Sequence, residues 1–175
     1  MKILITDAVG ESCLNILRSD GFDVSMKLGT SHAELTELIP EYDGLIVRSG
    51  TKVTQEIIEN ARKLRVIGRA GAGVDNIDVD AATRRGIIVM NTPGGNTIST
   101  AEHTLSLLFA LARNIPQANE SVRGGRWERE KFVGVELYGK TVGILGLGKV
   151  GREVAKRCLA LGMTVIGYDP LLSSE

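Results

Sequence analysis

A net charge is the first thing this sequence lacks. Its 21 Lys and Arg balance 21 Asp and Glu, for a formal charge of +0. No global field therefore draws it to nucleic acid or to an anionic membrane. It has only two cysteines, Cys13 and Cys158, each in a helical pattern. That excludes a disulfide scaffold and reads as two free thiols in a reducing compartment. It has only two histidines, His32 and His103, too few for a zinc-type ligand set, so no metal is expected. No uncharged apolar run approaches the roughly 20 residues that span a bilayer. The apolar stretch within Met1–Asp7 is also too short for a signal peptide. The expectation is a soluble cytoplasmic protein with neither nucleic-acid nor membrane partners. Aromatic residues are scarce, at 4%, which suits a core of aliphatic parallel strands.

Glycine, by contrast, is plentiful, with 21 in 175 residues, and its placement is informative. Gly146-Leu147-Gly148-Lys149-Val150-Gly151 follows the apolar run Thr141–Leu145 and opens a helical pattern, Lys149–Leu161. A second apolar run, Thr164–Tyr168, ends on Asp169. Strand, glycine turn, helix, strand and acid together form the dinucleotide-binding fingerprint. Gly146 permits the tight turn, Gly148 lets backbone amides approach a pyrophosphate, and Gly151 lets helix and strand pack closely. The pyrophosphate would sit at the helix N-terminus, where unpaired N–H groups and the macrodipole favour anions. Asp169 would accept hydrogen bonds from the adenosine ribose and repel a 2′-phosphate, so NAD is the expected cofactor.

The first half alternates short strand and helix patterns. Strands are expected at Lys2–Thr6, Phe22–Met26, Gly44–Val47, Arg65–Gly68 and Ile87–Met90. They are apolar and rich in β-branched residues, as strands buried on both faces should be. Helices are expected at Ser12–Arg18, Ser31–Ile39, Thr54–Ala61 and Asp78–Arg84, with Gly21 and Gly86 as C-caps of the first and last. This rhythm implies an α/β fold, a doubly wound parallel sheet of flavodoxin-like order. It breaks at Asn91-Thr92-Pro93-Gly94-Gly95-Asn96, a turn-rich hinge. Ser99 to Glu102 then reads as a capping box. The helix that follows, through Leu105, Leu107, Leu108, Phe109 and Leu111, is apolar nearly all round and is expected to be buried on several sides.

Beyond Gly146–Gly151, several segments carry a specific resemblance: Gly44–Ser49 with Thr51–Thr54, Gly68–Asp78, Met90–Pro93 with Asn96, and Arg126–Arg129. With them, nearly the whole chain resembles the N-terminal part of a D-2-hydroxyacid dehydrogenase. The resemblance implies a substrate-binding segment over 1–95 and, over 96–175, interdomain helices and the first βαβ unit of a Rossmann NAD-binding domain. It implies that Arg48, Ser49 and Arg69 lie beside the anionic group of a small hydroxy acid, with Gly71 and Gly73 close to it. Ala72, Gly146, Gly148, Lys149, Val150, Gly151 and Asp169 would contact NAD. The residues agree in part, because Arg48 and Arg69 each sit at the C-terminal end of a strand, where open α/β sheets bind ligands. Guanidinium groups also suit bidentate carboxylate or phosphate contacts. The family's catalytic Arg, Glu and His belong to sequence that is not among these residues. The chain is therefore expected to be a fragment or a deliberately shortened chain, with no catalytic residue of its own. A homo-oligomer through the interdomain helices is also expected.

Other readings compete for particular residues. Asp7 ends the first strand, as a receiver's phosphoacceptor does. However, Ala8 supplies no second acid for Mg²⁺, and Asn91 rather than Lys follows the fifth strand. His32 and His103, each near a helix start, read as cap-region or packing histidines rather than acid–base catalysts. Arg126, Arg129 and Lys131 alternate with Glu128 and Glu130 as a solvated loop would. Among family functions, other 2-hydroxy acids and a non-catalytic NAD-sensing module remain open.

Overall fold

The computed structural model describes residues 1–172. The chain divides into two compact units, Met1–Gly95 and Asn96–Glu175.

In the first unit, β1 (Lys2–Ile5), β2 (Asp23–Met26), β3 (Gly44–Val47), β4 (Val66–Arg69) and β5 (Ile88–Asn91) alternate with helices. These are α1 (Glu11–Ser19), α2 (His32–Leu38), α3 (Gln55–Asn60) and α4 (Val79–Arg84). All strand pairs are parallel, in the order β2-β1-β3-β4-β5. That is the flavodoxin order expected from the βα rhythm. The register places Val47, Arg69 and Asn91 side by side at the last rung of β3, β4 and β5.

Local signals fix the helix ends. Ser31 caps α2 through a reciprocal box with Glu34, Thr54 caps α3, and Asp78 caps α4 by accepting from the Ala81 amide at 2.9 Å. Each satisfies an amide that the first turn leaves unpaired. Gly21 and Gly86, both at positive φ, follow α1 and α4 as expected. Helices α2, α3 and α4 cover one face of the sheet. Leu35, Ile39, Ile57, Ile58, Ala81 and Ala82 meet Leu4, Leu45, Val47 and Ile67 there. The strands are less enclosed than expected. β2 and β5 are edge strands, and Ile88 and Met90 of β5 remain 62% and 58% exposed.

The second unit opens with α5 (Thr97–Ala112) and α6 (Ile115–Arg123), then forms β6 (Thr141–Leu145), α7 (Lys149–Ala160) and β7 (Thr164–Tyr168). β6 and β7 pair in parallel. Ala101 and Leu105 of α5 pack with Ile144, Val154, Cys158 and Met163. Two expectations fail here. The box at Ser99–Glu102 is not formed: α5 starts at Thr97, three residues nearer the hinge than a Ser99 cap would allow, and the Ser99 hydroxyl instead donates to the Asn96 carbonyl. Nor is α5 buried on several sides. Ala101, Leu105 and Ala112 are covered, while Leu107 and Leu111 are 58% and 79% exposed. Its packing partners, α6, α7 and the β6 residue Ile144, cover only part of its surface.

Cys158 is buried and Cys13 half-buried, both as free thiols; burial pushes the Cys158 thiol up. Among the described residues no helix is long and apolar enough to cross a membrane. Ile67 is fully buried at the centre of the first unit. Ile67→Ala should lower the stability of that unit by about 3 kcal/mol, read as a shifted urea midpoint for probes in residues 1–95.

Candidate functional site: two strand-end turns

Parallel strands deliver their C-terminal ends to one edge, and the candidate anion site of the first unit is built there. Arg48 follows β3, Arg69 ends β4 and Asn91 ends β5. Arg48 and Thr51 bound a short turn held on both sides. The Asp7 carboxylate, just past β1, accepts from the Arg48 amide at 2.6 Å and the Thr51 amide at 3.1 Å. The Asn76 side-chain amide donates to the carbonyls of the same two residues, both at 2.6 Å. A buried hydroxyl pair, Thr51 to Thr6 at 2.8 Å, fixes the turn to β1.

The two arginines are held differently. Arg48 is exposed, and its Nη1 donates to the Ala8 carbonyl at 3.3 Å. The Arg69 side chain is 12% exposed; its Nε donates to Asn76 Oδ1 at 3.2 Å, and its Nη2 lies 3.8 Å from Asp75 Oδ1. Ser49 is exposed beside Arg48. The Gly71-Ala72-Gly73 loop is tied to the end of β5: the Asn91 side chain donates to the Ala72 carbonyl at 2.6 Å, and the Thr92 amide to the Gly71 carbonyl at 3.0 Å. The first unit thus collects Arg48, Ser49, Arg69, Gly71, Ala72 and Gly73 on strand-end loops of neighbouring strands.

Sequence reasoning missed Asn76 and Asn91 as the side chains that hold these loops. It also weighed Asp7 for a role that its contacts do not suit. Its carboxylate binds backbone amides, and among the described residues no cluster of His, Cys, Asp or Glu could hold a metal. No local signal marks either asparagine: Asn76 lies in the turn between β4 and α4, and Asn91 opens a turn-rich stretch, where asparagine is expected for backbone reasons. His32 bonds Thr54 at 3.0 Å and lies 3.7 Å from Glu56, and His103 is exposed on α5.

The second unit holds the glycine turn. Gly146 leaves β6 at φ +93, a left-handed conformation that glycine adopts without penalty. Its amide donates to the Tyr168 carbonyl at 2.7 Å. A side chain on Gly151 would run into the Gly146 carbonyl oxygen, so turn and helix can approach only without one. Gly148, the N-cap of α7, has no side-chain cap, and the space beside its Cα is open. The first-turn amides of α7, with Lys149 exposed and Val150 half-buried, are thus free of a side-chain rival for an anion. Arg152 Nε donates to the Leu147 carbonyl at 2.8 Å.

Asp169 meets this turn. Its carboxylate accepts from the Leu147 amide at 2.7 Å and from the Leu171 amide at 2.9 Å. The Leu171 and Leu147 amides hold its pKa below the ordinary carboxylate value, against some desolvation. Glu128 is set comparably on the loop after α6. Lys131, then the buried Ser121 hydroxyl, and Arg126 bring its pKa from an ordinary 4.5 to about 2.

The profile of the D-isomer specific 2-hydroxyacid dehydrogenase catalytic domain matches residues 3–169. The chain belongs to this family. A D-3-phosphoglycerate dehydrogenase of Archaeoglobus fulgidus is 55% identical over all 175 residues, and the human enzyme of that name is 55% identical over 174. The chain spans about a third of the length of the curated relatives it matches, 33% in both cases. Among solved structures, the NAD+-bound 3-phosphoglycerate dehydrogenase of Entamoeba histolytica is 35% identical with a TM-score of 0.82, over 100% of this chain and 56% of that one. A Thermus thermophilus protein reaches a TM-score of 0.92 at 36% identity, over 100% of this chain and 58% of that one. Family membership removes the receiver reading of Asp7.

The two depressed carboxylates imply a pH dependence. A folded pKa below the unfolded one adds stability that is present above the unfolded pKa and lost as pH falls through the folded value. The Glu128 loop should therefore loosen progressively between pH 4.5 and about 2, read as accelerated proteolysis within residues 126–132. Glu128→Gln should remove that pH step while leaving Ser121 a partner. Gly151→Val should disorder the 146–151 turn at any pH, visible as lost amide protection at the start of α7.

Proposed function

We propose that the chain is part of an NAD-dependent oxidoreductase that converts 3-phospho-D-glycerate to 3-phosphooxypyruvate, the step leading into serine synthesis in the cytoplasm. The observation that carries this reading is the 55% identity, over the whole chain, to D-3-phosphoglycerate dehydrogenases from an archaeon and from human.

In this reading residues 1–95 bind the substrate. Arg48 and Arg69 orient its anionic groups, with Ser49 and the backbone of Gly71 and Gly73 beside them. Residues 96–175 begin the NAD-binding domain. The open helix start at Gly148, with Gly146, Lys149, Val150 and Gly151, fits a pyrophosphate. Asp169 takes the adenosine ribose, and Ala72 lies toward the nicotinamide. NAD+ held there would supply the hydride acceptor for oxidation at C2 of the substrate. No residue of this chain serves as the general acid–base. The exposed apolar stripe of α5, at Leu107 and Leu111, contacts a second copy.

Isothermal titration of the 175-residue chain tests the reading. NAD+ should bind at least about tenfold more tightly than NADP+, because a 2′-phosphate beside Asp169 sets like charges together. Asp169→Ala should narrow that gap. Binding of 3-phosphoglycerate should weaken measurably in Arg48→Ala and in Arg69→Ala. Equal affinity for both nucleotides would overturn the NAD assignment. Steady reduction of NAD+ by this chain with phosphoglycerate would overturn the absence of a catalytic acid–base.

A further inference from the structure

One side chain joins the two arginine-bearing loops. Asn76 has two N–H donors and one carbonyl oxygen, and all three are engaged. The donors reach the Arg48 and Thr51 carbonyls at 2.6 Å each, and the oxygen accepts from Arg69 Nε at 3.2 Å. Its own backbone is fixed as well: its carbonyl accepts from the Val53 amide at 2.8 Å, beside the Val53–Ile77 bridge. The same turn that Asn76 holds by its carbonyls is held by its amides on Asp7.

We propose that Asn76 is a positioning residue that locks Arg48 and Arg69 into one two-armed anion clamp, so that neither arginine binds independently of the other. The proposal rests on the reading of this edge as the anion site. The chemistry singles out asparagine. The turn offers two carbonyls and so needs two donors from one atom, while the guanidinium Nε–H needs an acceptor. Aspartate supplies the acceptor and neither donor at neutral pH. Serine or threonine has a single hydroxyl and cannot serve three partners. Asn76 fixes Arg69 at Nε only, which leaves the terminal nitrogens to face an anion. Nη1 sits against Gly71, and the Asp75 carboxylate, 3.8 Å from Nη2, is 86% exposed and free to swing away.

Two measurements on the 175-residue chain test this, with 3-phospho-D-glycerate as the probe. In the first, side-chain NMR follows the Arg69 Nε–H. It should exchange slowly in the unsubstituted chain and lose that protection in Asn76→Ala. In the isosteric Asn76→Asp it should stay protected, because a carboxylate still accepts, while the 48–51 turn loosens. In the second, titration should show that Asn76→Ala weakens phosphoglycerate binding by roughly tenfold, the scale of one lost hydrogen bond to a charged group. Asn76→Asp should weaken it further by answering the Arg69 charge. Arg48→Ala and Arg69→Ala should be non-additive in the native background and additive in Asn76→Ala. A residue that merely supports the fold would lower stability and leave that coupling intact, and intact coupling overturns the proposal. If the native chain binds no phosphoglycerate, it is the functional reading that fails. The NMR arm then decides alone: Arg69 protection retained in Asn76→Ala overturns the clamp, and protection lost in Asn76→Ala but kept in Asn76→Asp supports it. Asn76→Asp also keeps the test decisive should Asn76→Ala fail to fold.

Discussion

Strands that run in one direction must all end at one edge, and this constraint organises both units. Each strand exit leaves backbone amides and carbonyls that have lost their ladder partners. In the first unit side chains answer them: Asp7 takes amides, Asn76 and Asn91 give to carbonyls, and Thr6 meets Thr51. In the second unit the Asp169 carboxylate does the same for the Leu147 amide. The polar residues at these edges therefore satisfy the exits and shape the loops that carry the arginines and the glycine turn. Edge and site are one structure, because the groups that make a strand end costly are the groups that can meet a ligand.

Much of this was legible in the sequence. The fivefold βα rhythm gave the strand order, and the strands β3, β6 and β7 lie where their apolar runs lie. Short parallel strands are continuous apolar words, and their length leaves little room for error. The glycine turn was equally plain, since Gly146 and Gly151 each answer a steric demand that other residues would meet only with strain. The start of α5 was less so. Ser99 and Glu102 have the spacing of a capping box, but the hinge let the helix begin three residues earlier, at Thr97. A true box stands at Ser31 and Glu34, inside a segment whose helix was already evident. Sequence spacing shows that a cap is available, and only the chain's approach decides whether it is used.

Asn76 and Asn91 were invisible for a different reason. Each sits near a glycine-rich or turn-rich stretch where asparagine is expected for backbone reasons. Nothing local separates an asparagine that relieves its own turn from one that reaches across 25 or 28 residues to another. Only the register of β3, β4 and β5 brings the Arg48, Arg69 and Asn91 exits together. The exposure of α5 was missed by a related route. Apolarity around a helix says that it needs partners, not how many of them lie in the same 175 residues.

The rung shared by Val47, Arg69 and Asn91 also acts as a ruler. Neighbouring strands in any sheet lie about 4.8 Å apart, a spacing set by the peptide hydrogen bond and not by side chains. Two cationic arms rooted on adjacent strands therefore start from a fixed gauge that mutation of the arms leaves unchanged. Such a gauge favours compact ligands with negative groups a few bonds apart, and it selects by length before any contact selects by chemistry. Divergence in a fold of this kind can exchange the groups at the tips of the arms, while the hydrogen-bonded backbone keeps the measure between them.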